Sequence, residues 1–371
     1  MIAILLWSSV LSFLVIHLIC LHLRLDFYQL ATKSMTINST NHIPVLFDAV
    51  LEQAQVCEGE LWVDCTLGRG GHTEALLLKG AQVIAFDRDQ QAIDESSLRL
   101  KSFIESGQLT IVHSNFSELK SALEEMGIQF VHGILADLGV SSPQLDEAER
   151  GFSFMTSGPI DMRMDRSRGL SALEWIKAHS AQELCHILRV YGEEARAKYL
   201  AKVIKDWVDE DLKDEASVNL SSRKPKDTLG LARLIENATP MKLRRKLNKH
   251  PATRVFQALR IAVNDELGAL EQLLEDAPKR LEVHGKLLLI SFHSLEDRMV
   301  KKRFKALSET PPPPRRGLPP PPSDPIEFEV ALRKGVVADE QEKDLNPRSR
   351  SARLRILTRI RKNDGLGKMK A

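Results

Sequence analysis

The amino-acid sequence predicts an α/β fold, a doubly wound and largely parallel sheet interrupted by a helical insertion. Three observations carry this. Apolar runs that suit buried strands recur about every 20–25 residues between Leu61 and Gly139, with helical patterns between them, the alternation that builds parallel sheets. The first run passes directly into a glycine-rich turn and a helix start, DCTLGRGGHT. The next comparable strand, GKLLLISFHS at 285–294, comes nearly 150 residues after the fourth, too far for a single crossover.

The 371 residues accommodate roughly two domains. With 27% charged and 43% hydrophobic residues, the chain is neither disordered nor a polytopic membrane protein. Fifty-two Lys+Arg against 50 Asp+Glu argue against a uniformly basic nucleic-acid binder, so local charge must decide that question. The four cysteines, Cys20, Cys57, Cys65 and Cys185, show no CxxC spacing, which points to a reducing compartment.

Residues 1–34 form an apolar leader. Ile2 to Leu23 contains no Asp, Glu, Lys or Arg, long enough to span a bilayer at about 20 residues. It reads either as an uncleaved anchor, with Arg24 and Lys33 leaving the remainder cytoplasmic, or as residues upstream of a true start at Met35. The second reading is preferred, because Met35 opens onto a polar leader and then a globular pattern. Either way the working part, 35–371, is expected in the cytoplasm, with no stable membrane partner.

Residues 35–144 read as the first part of the sheet domain. Its strands are LWVDCTLG (61–68), AQVIAFDRD (81–89), LTIVHSNF (109–116) and VHGILADLG (131–139), with a helix over 90–105. Residues 145–249 read as the inserted helical domain, where SALEWIKAHSAQELCHILRVYG and ARAKYLAKVIKDWVDEDL carry i, i+3, i+4 apolar spacing. Residues 250–371 return to the sheet through one long helix from about Thr253 to Leu281. A Pro-rich loop (311–325) can be neither helix nor central strand. SARLRILTRI (351–360) alternates apolar and basic residues, which suits a last strand exposed on one face; a basic tail follows.

In DCTLGRGGHT, Gly68, Gly70 and Gly71 sit between a strand and a helix N-terminus, where the backbone can approach a ligand and free N–H groups are presented. Asp87 follows Gly70 by 17 residues at the end of the next strand, where a carboxylate accepts ribose hydroxyls. Together they predict an adenosine-cofactor site, against the alternative of a tight turn with a solvated acid. The dinucleotide GxGxxG and the GxxxxGK phosphate loop are both missing from this stretch. Asp64 before the loop suits a cationic, phosphate-free cofactor, S-adenosylmethionine. Asp137, in ILADLGVSSPQLD at the end of the fourth strand, lies over that site. A carboxylate there can accept an N–H hydrogen bond from an exocyclic base amine and favour the pyramidal form that attacks. Capping the following turn is the plainer role for Asp137.

These runs resemble the MraW-type (RsmH) methyltransferases, which methylate N4 of a cytidine in small-subunit ribosomal RNA. The resemblance spans about residues 41–362 and rests on DCTLGRGGHT, AFDRDQQAI, LADLGVSSPQLDEAERGFSF, GPIDMRMD, YGEE, HPATRVFQALRIAVNDEL, ISFHSLEDR and NPRSRSARLR. It implies a class I S-adenosylmethionine-dependent methyltransferase fold with an inserted helical domain. It implies cofactor contact for Gly70, Gly71, His72, Asp87, Phe116, Asp137 and Gln144, with Phe116 near the adenine. The expected partner is small-subunit ribosomal RNA or the 30S subunit, and a homodimer is left open. Two departures are a single Gly285 where the family usually has a Pro-Gly-Gly turn, and the leader, which has no counterpart.

Candidate RNA contacts come from local charge and aromatics. MKLRRKLNKHPATRVFQALR (241–260) holds seven Lys/Arg and no acid, and 341–371 holds ten against three, which suits phosphate contact. Arg244, Arg245 and Lys246 head the first patch; for the tail a solvated surface is the simpler reading. Phe152 and Phe154, in RGFSFMTSGPIDMRMDRSRG, suit either stacking on a splayed cytosine or packing of the insertion. His293 lines the base pocket or ties down its loop, and His72 reads as a helix-start residue. No His/Cys group has metal-ligand spacing, so no metal is expected. Two rival readings remain at this level. A DNA amine methyltransferase would commonly carry an Asp/Asn/Ser-Pro-Pro-aromatic run where this chain has DLGVSSPQ. A non-catalytic, membrane-tethered RNA-binding or assembly factor would need a dead cofactor site.

Overall fold

The computed structural model describes residues 44–213, 226–310 and 325–361. The apolar leader, the Pro-rich loop up to residue 324, residues 214–225 of the insertion and the tail beyond Arg361 lie outside the described residues. Helix α1 (Phe47–Ala54) precedes β1 (Leu61–Asp64), α2 (Gly71–Leu78), β2 (Gln82–Asp87), α3 (Gln90–Arg99), α4 (Lys101–Glu105), β3 (Leu109–His113), α5 (Leu119–Glu125), β4 (Val131–Asp137) and α6 (Ser142–Asp146). The helical layer follows as α7 (Ala172–Ala178), α8 (Ala181–Val190), α9 (Ala197–Lys213), α10 (Thr228–Ala238), α11 (Met241–Arg244) and α12 (Ala252–Asn264). Then come α13 (Glu266–Asp276), β5 (Leu281–Ser291), α14 (Ser294–Ser308), β6 (Phe328–Glu329), α15 (Glu340–Leu345) and β7 (Arg353–Arg359).

The strands form one sheet in the order β3-β2-β1-β4-β5-β7-β6. The first five are parallel, and β7 runs antiparallel to both β5 and β6. Strand order reverses between β1 and β4, and ligands of such sheets bind in the crevice outside the carboxyl ends at that switch. Because side chains alternate along a strand, neighbours Trp62 and Val63 enter opposite layers, one packed with α1 and α2, the other with α5, α13 and α14. Gly133 on β4 makes room for the Trp62 ring: a Cβ there would lie 2.3 Å from it.

A third apolar cluster runs from Phe152 to Leu259 and joins α7, α8, α9, α10 and α12. Helices α8 and α9 are amphipathic, as their apolar spacing predicts, and α10 is amphipathic too. Ser171 and Ser180 open α7 and α8 with capping boxes, each exchanging hydrogen bonds with a Glu three residues on.

Three expectations are corrected. The long helix over 253–281 is two helices, broken where Asp265 takes left-handed backbone (φ +47°). Asn264, the last residue of α12, has its carbonyl held by Arg88 Nη1 at 2.8 Å, so a helix-end acceptor that the break exposes is satisfied. The helix over 90–105 divides at buried Leu100 into α3 and α4. The last strand does not leave its basic face in water. Arg355 and Arg359 are buried, paired with Asp297 and Glu327, and Arg359 also donates to the Leu281 carbonyl at 2.7 Å.

The loop between α6 and α7 folds back on itself through two glycines. A Cβ on Gly158 would lie 1.9 Å from the Ala148 carbonyl oxygen, and one on Gly151 (φ +73°) 2.1 Å from that of Pro159. Gly158→Ala must therefore displace backbone, and we expect a loss of about 1–3 kcal/mol. Urea denaturation measures it; unchanged stability would mean the two arms of the loop are not held together.

Candidate active site

The loop after β1 is shaped by its backbone. Cys65 N–H donates to the Leu135 carbonyl and Leu67 N–H to that of Phe86, both at 2.8 Å, which pins the loop across the switch point. Gly68 and Gly70 have φ of +50° and +74°, conformations that disfavour a side chain. Gly70 and Gly71 also admit neighbours: added Cβ atoms would meet Leu100 at 2.8 Å and Pro44 at 2.4 Å. Helix α2 begins at Gly71, so His72 is indeed a helix-start residue.

Asp87 closes β2 and joins two loops. Its Oδ2 accepts from Gly68 N–H at 2.7 Å and its Oδ1 from Asp89 N–H at 2.8 Å. Burial pushes this carboxyl up to about 6, against the lowering effect of both N–H bonds. Phe116 starts a short 3-10 turn after β3 and is half-buried against the cluster containing Phe86.

Behind the loop, Asp64 is buried and held by Thr73 Oγ1 at 2.6 Å and Thr66 N–H at 3.0 Å. Burial raises its pKa, and these bonds lower it in part. Asp137 donates its own N–H to Thr66 Oγ1 at 2.7 Å, while its Oδ2 lies 3.9 Å from His72 Nε2. Desolvation pushes the Asp137 carboxyl well above its ordinary range, with repulsion from Asp64 and Glu296 adding to it. His72 is buried beside the Phe47 ring, and burial pushes it down to about 4, so at neutral pH it is uncharged.

Oδ1 of Asp137 is buried without a hydrogen-bond partner, and neither ring nitrogen of His72 makes a well-aligned hydrogen bond, although the Val45 backbone lies close enough to oppose the effect of burial. Native proteins leave few such groups, and a cluster of them at one place calls for a polar occupant. None of the hydrogen bonds described to Asp64, Asp87 or Asp137 comes from a Lys or Arg. The donor set therefore suits a cationic, hydrogen-bond-donating ligand rather than a phosphate.

Gln144 reaches the same region through its neighbours. Its Oε1 accepts from Ser141 N–H at 3.0 Å as part of the capping box of α6, and its Nε2 donates to Asp89 Oδ2 at 2.8 Å. Gly70, Gly71, His72, Asp87, Asp137 and Gln144 thus lie around adjoining strand ends, with Phe116 on the loop beyond β3.

The expected RNA contacts divide. Phe152 is buried in the helical cluster with the Arg150 guanidinium 5.9 Å over its ring, so packing, not base stacking, is its role. Phe154 is half-buried between His250 and Phe256, with ring centroids 4.9 Å from each. Arg244 is committed to its own layer, bonded to the Thr239 carbonyl at 2.8 Å and to Glu236 at 3.1 Å, whereas Arg245 and Lys246 are exposed. His293 ties its loop down: Nδ1 accepts from Glu296 N–H at 3.4 Å, and Nε2 lies 3.2 Å from Glu296 Oε1 without good alignment.

Sequence reasoning missed Glu296. The Glu three residues after His293 is the usual N-terminal capping spacing and was the available signal. Burial pushes the Glu296 carboxyl up, but His293, Arg260 and the Phe292 N–H together hold it below its ordinary range. Ligand-type atoms of Glu266, His293 and Glu296 lie within 4.8 Å of one another. Arg260 takes both oxygens of Glu266, at 2.9 and 2.8 Å, which neutralises that carboxylate. The buried Asp89–Arg150 pair at 2.8 Å carried no sequence signal.

Comparison with known proteins bears on this arrangement. The chain is 44% identical over 320 residues to a protein named ribosomal RNA small subunit methyltransferase H from Anaeromyxobacter dehalogenans, covering 86% of this chain and 98% of that one. It is 41% identical to the protein of the same name from Acinetobacter baumannii, with the same coverage. A solved rRNA methylase from Streptococcus thermophilus matches 87% of this chain with a TM-score of 0.36 at 12% identity. The model of the MraW methylase family matches residues 39–360, from before α1 to the end of β7, and to that family this chain belongs.

Proposed function

We propose that this chain transfers a methyl group from S-adenosylmethionine to the N4 amine of one cytidine in small-subunit ribosomal RNA. The observation that carries the proposal is the orphaned set at the switch point, His72 and Asp137 Oδ1, beside the strand ends that carry Asp64, Asp87 and Asp137. Family membership over 39–360 supports the reaction class. When bound, the cofactor supplies an electrophilic methyl on a cationic sulfur.

The chain's own residues then divide the work. Asp87, with an unused lone pair on each oxygen, accepts the ribose hydroxyls, and Phe116 packs near the adenine. Asp137 and neutral His72 meet the polar amino-acid end. The remaining capacity of Asp137, ionised beside the cationic cofactor, accepts an N–H of the target amine, favours its pyramidal form and receives its proton as the N–C bond forms and the methyl–sulfur bond breaks. Raised by burial, this carboxyl holds a proton more readily than a free aspartate. We assign RNA contact to the helical layer built on residues 145–249 together with α12. Its exposed Arg245 and Lys246 serve as phosphate contacts, and half-buried Phe154 belongs to the same layer. Ribosomal RNA as substrate implies a cytoplasmic site of action.

Incubation of the protein with labelled S-adenosylmethionine and small subunits lacking the modification should give N4-methylcytidine at one position, read by nucleoside mass spectrometry. Asp137→Ala should lose at least about a hundredfold in rate while keeping its circular dichroism. Transfer to another base would overturn the substrate, wild-type turnover by the variant would overturn the role of Asp137, and a folded protein that binds no cofactor would overturn the reading whole.

Protonation of Asp87 gives a pH signature. Its folded pKa of about 6 exceeds the ordinary 3.8, so its stabilising contribution to the free protein is fully present below 3.8 and is lost as pH rises through about 6. Ribose binding needs the opposite, ionised form. Cofactor affinity should therefore weaken by up to about tenfold per unit as pH falls below 6, and Asp87→Asn should flatten that profile. Calorimetric titration between pH 5 and 8 measures it; a flat wild-type profile would remove Asp87 from the ribose.

Arg245→Gln with Lys246→Gln should weaken RNA binding and reduce the slope of log affinity against log salt by about 1.4–1.8, two phosphate contacts' worth. An unchanged slope would place the RNA elsewhere.

A further inference from the structure

Arg150 is 2% exposed and lies in the turn after α6. Its guanidinium bridges two stretches of chain far apart in sequence. Toward the cofactor side, Nη1 lies 2.8 Å from Asp89 Oδ2 and 3.3 Å from Gln91 Oε1. Toward the helical layer, Nη2 donates to the carbonyls of Arg163 at 3.2 Å and Met164 at 3.0 Å.

Both ends lead somewhere specific. The Asp89 oxygen that meets Arg150 also takes the amide of Gln144, and the Asp89 N–H is one of the two that hold the Asp87 carboxylate. The other oxygen caps α3 through Gln91 N–H at 3.2 Å. On the far side, the strap 162–164 has Met162 in left-handed backbone (φ +59°) with its side chain fully buried. Asn264 clamps the strap opposite Arg150, accepting from Met164 N–H at 2.8 Å and donating to the Met162 carbonyl at 2.7 Å. Arg88, between Asp87 and Asp89, adds Nη1 to the Asn264 carbonyl.

A buried ion pair gains little stability, since desolvation offsets attraction, and what it fixes best is registry. We propose that Arg150 is a positioning residue of the cofactor site. Acting through Asp89, it holds Asp87 and Gln144 in register and ties both to the strap that enters the helical layer. Its planar fork is needed for this, because one cationic group must meet a carboxylate, an amide oxygen and two carbonyls at once. The inference rests on the placement of S-adenosylmethionine at Asp87 argued above.

Arg150→Lys keeps the charge and loses the fork. Dissociation of S-adenosylhomocysteine is measured by calorimetry well below each variant's thermal midpoint, alongside steady-state kinetics with small subunits. We expect the variant to raise the dissociation constant about tenfold or more, and the KM for the cofactor with it, while kcat at saturating cofactor stays within about threefold. Combined with Gln144→Ala, the losses should not multiply, because both act through Asp89. If Arg150→Lys does not fold, Asp89→Asn makes the same measurement, since its one amide oxygen cannot accept from Arg150 and Gln144 on one side and from Gln91 N–H on the other. A folded variant with a lower thermal midpoint but wild-type affinity would overturn the positioning role, and multiplying losses would overturn the route through Gln144. Failure of the wild-type protein itself to bind the cofactor would overturn the proposed function instead.

Discussion

Carboxylates held at adjoining strand ends, partly out of water, are the constraint around which this structure is arranged. Asp64, Asp87 and Asp137 end β1, β2 and β4, three neighbours in the sheet. No guanidinium or ammonium is described in hydrogen bond with any of them. Backbone N–H groups and hydroxyls do the holding instead: Gly68 and Asp89 on Asp87, Thr66 and Thr73 on Asp64. Neutral partners lower the cost of burial without cancelling the charge. The loops therefore take the shapes that aim those N–H groups, and the region keeps its demand for a cationic occupant. Asp137, given no partner for one oxygen, is where that demand is greatest.

Charge is treated the other way in the rest of the molecule. Asp89–Arg150, Glu266–Arg260 and Asp297–Arg355 are close pairs, each with a buried or nearly buried guanidinium. Such pairs are expensive to break and modest in net worth, which suits them to fixing register between segments. The contrast separates groups kept ready for a ligand from groups that hold the frame. His293 and Glu296 fall on the frame side, bonded to each other and to their own backbone, though they open α14 just after the end of β5, where Ile290 pairs with Asp137.

The helical layer is joined to the sheet through a few non-standard backbone positions. Met162, Glu193 and Asp265 all have positive φ. Met162 lies in the loop before α7, Glu193 between α8 and α9, and Asp265 between α12 and α13. Left-handed residues of this kind are held by their surroundings rather than by local preference. At Met162 the surroundings are Arg150 and Asn264; at Asp265 the preceding Asn264 carbonyl is held by Arg88. Glu193 reaches Ser294 and Arg298 at the start of α14, so the YGEE turn is tied to the end of β5.

The sequence by itself determined the strand runs, their parallel alignment up to β5, the amphipathic helices, and the glycine loop with Asp87 and Asp137 at strand ends. These follow from periodicity and from turn residues with few conformational choices, signals that are local. It also placed His72 at the start of its helix. What it could not determine depended on partners distant in the chain. Phe152 and Phe154 are alike in sequence, yet only the closing of the helical cluster buries the first more deeply than the second. Arg244 and Arg245 are adjacent basic residues, and the Thr239 carbonyl and Glu236, which hold the first, separate their roles. The alternation in β7 suggested a wet face, but Asp297 and Glu327 arrive from elsewhere and bury its arginines. The break at Asp265 has no glycine or proline to announce it, because Arg88, 176 residues before Asn264, is the group that satisfies the exposed carbonyl. Tertiary structure decided these points because a charge or an aromatic ring has no fixed role until its partner is in place.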